Sequence, residues 1–192
     1  MKRIENKPLY VSLRSTPFGP VAALWSVHGG EPKICRIVLS KPGSPAKQAV
    51  ANSFPDSTPS SCSEIDTLVS QIEIFMNGED IPFPLDTVRL DLCSAFQQKV
   101  LRAEYAIPRG RVSTYQLIAK NLGNPNGARA VGMALATNPF PIVIPCHRAI
   151  RSNGALGGYQ GGWKMKRTLL EMEGISFDDT DHAVMREFFY GD

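Results

Sequence analysis

The hydrophobic period of this chain changes once along its length. Up to Leu39 apolar residues recur at the two-residue spacing of strands, and from Ile65 onward they recur at helical spacing. Leu9-Tyr10-Val11-Ser12-Leu13, Val21 to Val27 and Ile34 to Leu39 read as three strands. Thr16-Pro17-Phe18-Gly19-Pro20 and His28-Gly29-Gly30-Glu31-Pro32 are the turns between them, so a small antiparallel meander is expected. Residues 41–63 are rich in Pro, Ser, Ala and Asn without a sustained period, which suits a surface connection. Ile65, Leu68, Val69, Ile72, Phe75 and Met76 then mark one covering helix that Asn77-Gly78 stops. With 192 residues, 43% hydrophobic and 20% charged, the chain is long and apolar enough for two small cores. The first is a β-rich domain over residues 1–90.

The second unit, residues 91–192, reads as helical. Ser94-Ala95-Phe96-Gln97 has a capping-box pattern, and Phe96, Val100 and Leu101 supply an apolar stripe until Pro108-Arg109-Gly110. Ser113-Thr114-Tyr115-Gln116 repeats the start signal, with Leu117, Ile118 and Leu122 inward and Gly123 as the stop. After the turn Asn124-Pro125-Asn126-Gly127 a third helix runs from about Ala128 to Ala136. Two short helices with a tight glycine-containing turn outline a helix-turn-helix, or an ordinary αα-corner. The second of them is rich in small residues (Ala128, Ala130, Gly132, Ala134, Ala136) and carries Arg129 in its first turn. Beyond residue 175 a tail with Asp178-Asp179 and Phe188-Phe189-Tyr190 is expected to pack as a terminal helix or to form a contact.

Charge is distributed unevenly. From Ala95 to Leu170 eleven Lys or Arg accompany a single acid, Glu104, so that stretch is +10 and the remainder −7. A segment facing a polyanion has this asymmetry, as does a solvated basic surface. No apolar run reaches the roughly 18 residues of a membrane span, and residues 1–6 lead into no signal-peptide core; a soluble, non-exported protein without membrane contact is expected. The cysteines at 35, 62, 93 and 146 are far apart, with no CxxC or paired Cys/His spacing, so neither a disulfide framework nor a bound metal is expected. His28 and His182 are isolated.

Asn138-Pro139-Phe140-Pro141-Ile142-Val143-Ile144-Pro145-Cys146-His147-Arg148 carries the chemistry. An Ile-Val-Ile strand is expected to bring Cys146 to its end between prolines. A thiol of ordinary pKa about 8.5 is a weak nucleophile until a base or cation raises its thiolate fraction, and His147 and Arg148 are two such groups.

Pro145-Cys146-His147-Arg148, with Asn138-Pro139 before it and Gly154-Ala155-Leu156-Gly157-Gly158-Tyr159 after it, resembles the active-site signature of the O6-alkylguanine-DNA alkyltransferases. The resemblance extends through Tyr115-Gln116, Arg129-Ala130-Val131-Gly132 and Leu169-Leu170-Glu171-Met172-Glu173-Gly174, over about residues 92–175. It implies a mixed α/β (α+β) protein, with a ribonuclease-H-like N-terminal domain and a winged helix-turn-helix-like C-terminal domain. It makes Cys146 the alkyl acceptor, His147 a base acting through water, Glu173 the carboxylate that orients it, and Asn138 a hinge that ties backbone around the site. Tyr115 would turn and hold the flipped nucleotide. The carbonyls of Cys146 and Ala149 would face the guanine amine, and the backbone around Tyr159 and Gln160 would face O6. Gln160 stands where the family often has a small residue, which bears on pocket width. Arg129 would enter the base stack, a phosphate clamp being its plainer role. Ala128, Thr114, Gly132, Arg148 and Arg151 complete the expected DNA-facing set.

The function so implied is direct-reversal repair: one alkyl group, chiefly methyl, passes from guanine O6 in double-stranded DNA, approached from the minor groove, to Cys146 in a self-inactivating step. No cofactor is required by that chemistry, and a monomer is expected, cytoplasmic and nucleoid-associated in a prokaryote or nuclear in a eukaryote. The rival is a module that binds alkylated bases and recruits other factors without transfer. A transcription regulator using the helix-turn-helix alone would want more polar side chains on its second helix.

Overall fold

The computed structural model describes residues 8–191, and the chain divides into two compact units, Met1–Ser94 with Pro139–Val143 and Ala95–Asn138 with Ile144–Asp192. The division falls at Ser94 instead of residue 90, and residues 139–143 cluster with the first unit.

The first unit is built on strands β1 (Tyr10–Arg14), β2 (Val21–His28) and β3 (Glu31–Leu39), joined as an antiparallel meander, with a short β4 (Thr58–Pro59) parallel to β1; the sheet order is β3-β2-β1-β4. Val21 to Ser26 of β2 are all buried, so that strand is a near-continuous apolar run and does not alternate. Helix α2 (Ser63–Met76) packs on β1 and β3 and buries Ile65, Leu68, Val69, Ile72, Phe75 and Met76. A second helix, α1 (Ala46–Ser53), corrects the expectation of an irregular connection over 41–63 and of one covering helix. Ala46 and Val50, one turn apart, pack with Val11, Ala22 and Leu24, and burial of that small face outweighs the poor helix-forming composition around it.

The second unit holds α3 (Ala95–Tyr105), α4 (Tyr115–Asn121), α5 (Ala128–Ala136) and α6 (Trp163–Met172), with a two-stranded parallel sheet of β5 (Ser113–Thr114) and β6 (Ala149–Ile150). Thr114 is the N-cap of α4: its hydroxyl accepts from the Leu117 N–H at 3.1 Å. Val100 and Leu101 of α3 are fully buried, whereas Phe96, expected on the same stripe, is 40% exposed. Residues 141–144 form a turn and not the expected strand, and Ile142 sits there at φ 76°, a costly region for a β-branched residue.

The tail is not a helix. It runs back over the second unit in extended and turn conformations, where the Phe189 N–H donates to the Val112 carbonyl at 2.9 Å. The Ser113 hydroxyl donates to the Phe189 carbonyl at 2.6 Å and the Tyr190 hydroxyl to the Ala103 carbonyl at 3.0 Å. Among the described residues no helix is long and apolar enough to cross a membrane.

Candidate active site

Pro145 turns the chain into a single 3-10 turn, Cys146–Arg148, whose three side chains are all buried. The Asn138 amide donates to the Ile144 carbonyl at 3.0 Å and ties the chain on the two sides of residues 139–143. Cys146, 5% exposed, lines a cavity of about 200 Å³ together with Tyr115, Gly132, Gly158, Tyr159 and Gln160.

His147 is fully buried and its Nε2 lies 3.0 Å from Glu173 Oε1. Glu173 is the C-cap of α6, and Arg148 grips it from the other side: Nε donates to Oε2 at 2.9 Å and Nη2 to Oε1 at 2.7 Å. Arg148 also donates to the Ile107 carbonyl at 2.7 Å. Burial pushes the Glu173 carboxyl up, yet the hydrogen bonds and charge around it win and hold it at about 2. His147 lowers it most, and the two charge-assisted bonds from Arg148 add to that. Burial pulls His147 below its ordinary value against the opposing pull of Glu173, so the ring rests neutral. An ionised carboxylate only accepts, so Nε2 carries the ring proton and the basic lone pair is on Nδ1.

The Cys146 thiol is pushed up to about 12, chiefly by burial, with Glu104 adding to the rise and the Asn138 side chain and Lys166 opposing it. The resting site therefore holds a thiol and needs a proton acceptor close by. Lys166, on α6, is also fully buried: its Nζ donates to the Ala149 carbonyl at 2.6 Å and the Gly158 carbonyl at 3.4 Å, and it lies 6.0 Å from the centre of the Tyr115 ring. Burial lowers it to about 8.

The structure brings Cys146, His147, Glu173, Asn138, Tyr115, Tyr159 and Gln160 into one region. Tyr159 meets the His147 ring edge-on at 6.2 Å. The Gln160 amide donates to the Asn138 carbonyl at 2.5 Å, so this side chain spans one wall of the cavity. The Tyr115 hydroxyl lies 2.7 Å from where a Cβ on Gly157 would be, and Gly157 has φ 72°, so a side chain there would be both crowded and strained. Arg129 and Arg151 are exposed, Ala128 and Gly132 half-buried, and Ala149 buried with its carbonyl already bonded to Lys166.

Two residues expected on the DNA-facing surface are not there. Arg148 is 8% exposed because its guanidinium is committed to Glu173 and Ile107, and Thr114 is 3% exposed because its hydroxyl caps α4. Lys166 and Glu104 were missed by sequence reasoning, although a signal existed. Lys166 falls three and four residues before Leu169 and Leu170, and Glu104 four and three after Val100 and Leu101, so each charge lies on an apolar stripe. Among the described residues no group of three or more His, Cys, Asp or Glu is placed to hold a metal ion.

Residues 95–175 match the family model described as 6-O-methylguanine DNA methyltransferase, DNA binding domain. Over 114 residues the chain is 45% identical to the methylated-DNA–protein-cysteine methyltransferase of Methanothermobacter thermautotrophicus, a match covering 59% of this chain and 64% of that relative's length. The crystal structure of Mycobacterium tuberculosis O6-methylguanine methyltransferase is similar at 32% identity and TM-score 0.70, over 86% of this chain and 92% of that one. The structure of the M. tuberculosis protein in complex with DNA is similar at 32% identity and TM-score 0.68, over 85% and 92%. The mixed α/β architecture agrees with these neighbours, and the chain belongs to the O6-methylguanine-DNA methyltransferase family.

Proposed function

We propose that this chain repairs DNA by direct reversal, taking one alkyl group, chiefly methyl, from O6 of guanine onto the sulfur of Cys146. The observation that carries this reading is a buried thiol at a cavity wall, followed in sequence by a neutral imidazole that an ionised carboxylate holds in one tautomer. The thiol proton passes to His147 Nδ1 through a water, and Glu173 and Arg148 fix the ring while its charge develops. The thiolate attacks the alkyl carbon in line; the S–C bond forms as the C–O6 bond breaks, and guanine leaves with the bonding pair. The thioether has no route back, so each chain acts once.

Guanine O6 lies inside the stacked duplex, so the base must be extruded at a cost of a few kcal/mol. Exposed Arg129 at the start of α5 is the group to fill the vacated stack. The small residues of that helix suit close approach in the minor groove, where lesions in any sequence are read through backbone and shape. Tyr115, Tyr159 and Gln160 then border the extruded base, and the chain acts as a monomer on double-stranded DNA.

Intact-protein mass spectrometry after mixing equimolar chain with a duplex carrying one O6-methylguanine tests the reading. One added methyl that is absent from Cys146→Ser is expected. Tight binding with no mass gain would make the chain a lesion-binding module instead.

A further inference from the structure

The one acid of the +10 stretch is also one of its two fully buried charges, with Lys166. Glu104, on α3, is fully buried, and neither of its carboxyl oxygens has a hydrogen-bond partner among the described residues. Helix α3 packs directly on the Cys146–Arg148 turn. Glu104 therefore faces the site from behind: Lys166 of α6, Arg148 and Cys146 of the turn, Tyr115 of α4, Tyr190 of the tail and the Ala149 backbone N–H are the polar groups that feel it. The Ala149 N–H points toward it without closing a full hydrogen bond, so a carboxylate in such a place is costly, whereas the neutral acid is not.

We propose that Glu104 is a positioning residue that competes with Cys146 for the buried charge of Lys166, so that its neutral form permits the thiolate and its ionised form suppresses it. The inference rests on the alkyl-transfer reading for its purpose and on the thiol alone for its test. With Glu104 protonated, the Lys166 ammonium has no anion beside it except a Cys146 thiolate, which it stabilises. Once Glu104 ionises, the charge of Lys166, itself lowered to about 8, is already matched or lost, and a thiolate would add a further negative charge to the same dry region. Burial raises the Glu104 carboxyl to about 8, against the pull of Lys166, Arg148 and the Ala149 N–H, so this exchange falls in the range just above neutrality. Glu104 touches no reacting atom; its charge acts both on Lys166 and on the thiol from behind the turn.

The test compares the full wild-type chain with Glu104→Gln and Glu104→Leu. Alkylation of Cys146 by iodoacetamide is followed by peptide-resolved mass spectrometry between about pH 6.5 and 9, in parallel with single-turnover transfer from a methylated duplex. Near pH 6.5 Glu104 is neutral, and the variant-to-wild-type rate ratio is expected near one. By pH 9 it should rise to about tenfold, the effect of a like charge that moves the thiol by about one pKa unit. Leucine leaves no unsatisfied amide, so agreement of both variants separates the charge from a packing defect. A ratio that is flat with pH, or below one at pH 9, overturns the proposal. If the iodoacetamide ratio rises as expected while the duplex leaves Cys146 unmethylated, the transfer reading fails and the charge competition stands.

Discussion

The two units bury the same chemistry to different ends. In the first, Cys35 and Cys93 are buried, and burial raises both thiols, Cys93 to about 11. In the second, burial raises Cys146 to about 12. Low intrinsic acidity therefore does not set Cys146 apart. Cys35 lies against the Ser26 hydroxyl at 3.2 Å, a group too weakly basic to take its proton, whereas Cys146 precedes a neutral imidazole tied to an ionised Glu173. The ion pairs differ in the same way. Arg89 meets Asp91 at 2.7 Å, but the Asp91 side chain is 58% exposed; Arg148 meets Glu173 at the same distance with Glu173 only 1% exposed. A protein keeps a sealed ion pair where its orientation is used, because such a pair is an expensive way to gain stability.

The largest effect that sharpens this contrast is on stability. Arg148→Met strands a buried carboxylate and should cost about 3–5 kcal/mol in denaturant unfolding. Arg89→Met leaves Asp91, whose side chain is 58% exposed, to water; it strands no buried anion and should cost less than Arg148→Met. Similar losses for the two would erase the distinction. Acid should act on the same residues. Glu173 is held at about 2, below its unfolded value of 4.5, so its contribution is complete above pH 4.5 and is lost as pH falls toward 2. His147 is also lowered, so its contribution is present above its ordinary 6.5 and declines as pH falls below that. Unfolding followed by Trp163 fluorescence in a Trp25→Phe background should show this acid loss, and Arg148→Met should weaken it.

Arg129→Ala is expected to slow transfer from a methylated duplex by about one hundredfold, roughly the few kcal/mol of extruding a base, while reaction with the free O6-alkylated base stays within a factor of about two. Equal losses would remove Arg129 from base extrusion. Gly157→Ala should cost about 1–3 kcal/mol and displace the Tyr115 hydroxyl, slowing transfer as well. The smallest effect is expected in the first unit: Cys35→Ala should lower stability by about 1 kcal/mol and leave the transferred methyl count unchanged.

The strands of the first unit were legible because turn residues bound short apolar runs, as were α4 and α5, although the start signal of α4 pointed to Ser113 as its cap and the structure has Thr114. Helix α1 was not, because its buried face is only Ala46 and Val50 and its flanks are rich in Pro and Ser. At the site, Cys146 and His147 are neighbours in sequence, so their pairing needed no fold to be seen. Arg148 was read as a DNA-facing cation beside the thiol, and Lys166 and Glu104 only as part of a charge count, because counting charges passes over the apolar stripes on which those two lie. Their burial also removes Arg148 and Lys166 from the basic surface that the sequence suggested. The turn at residues 141–144 was hidden because three apolar residues in a row fit a strand as well as a proline turn with a positive φ.

The central claim is that Cys146 is made reactive by the imidazole that Glu173 holds, and Glu173→Gln tests it most directly. Glutamine keeps the size of the side chain and removes the charge that fixes the His147 tautomer and stabilises its protonated form. Single-turnover transfer from an O6-methylguanine duplex should fall by about one hundredfold, within the range that one acid–base group supplies, while duplex affinity stays within about twofold. Transfer at the wild-type rate by a variant that still binds the duplex would contradict the account.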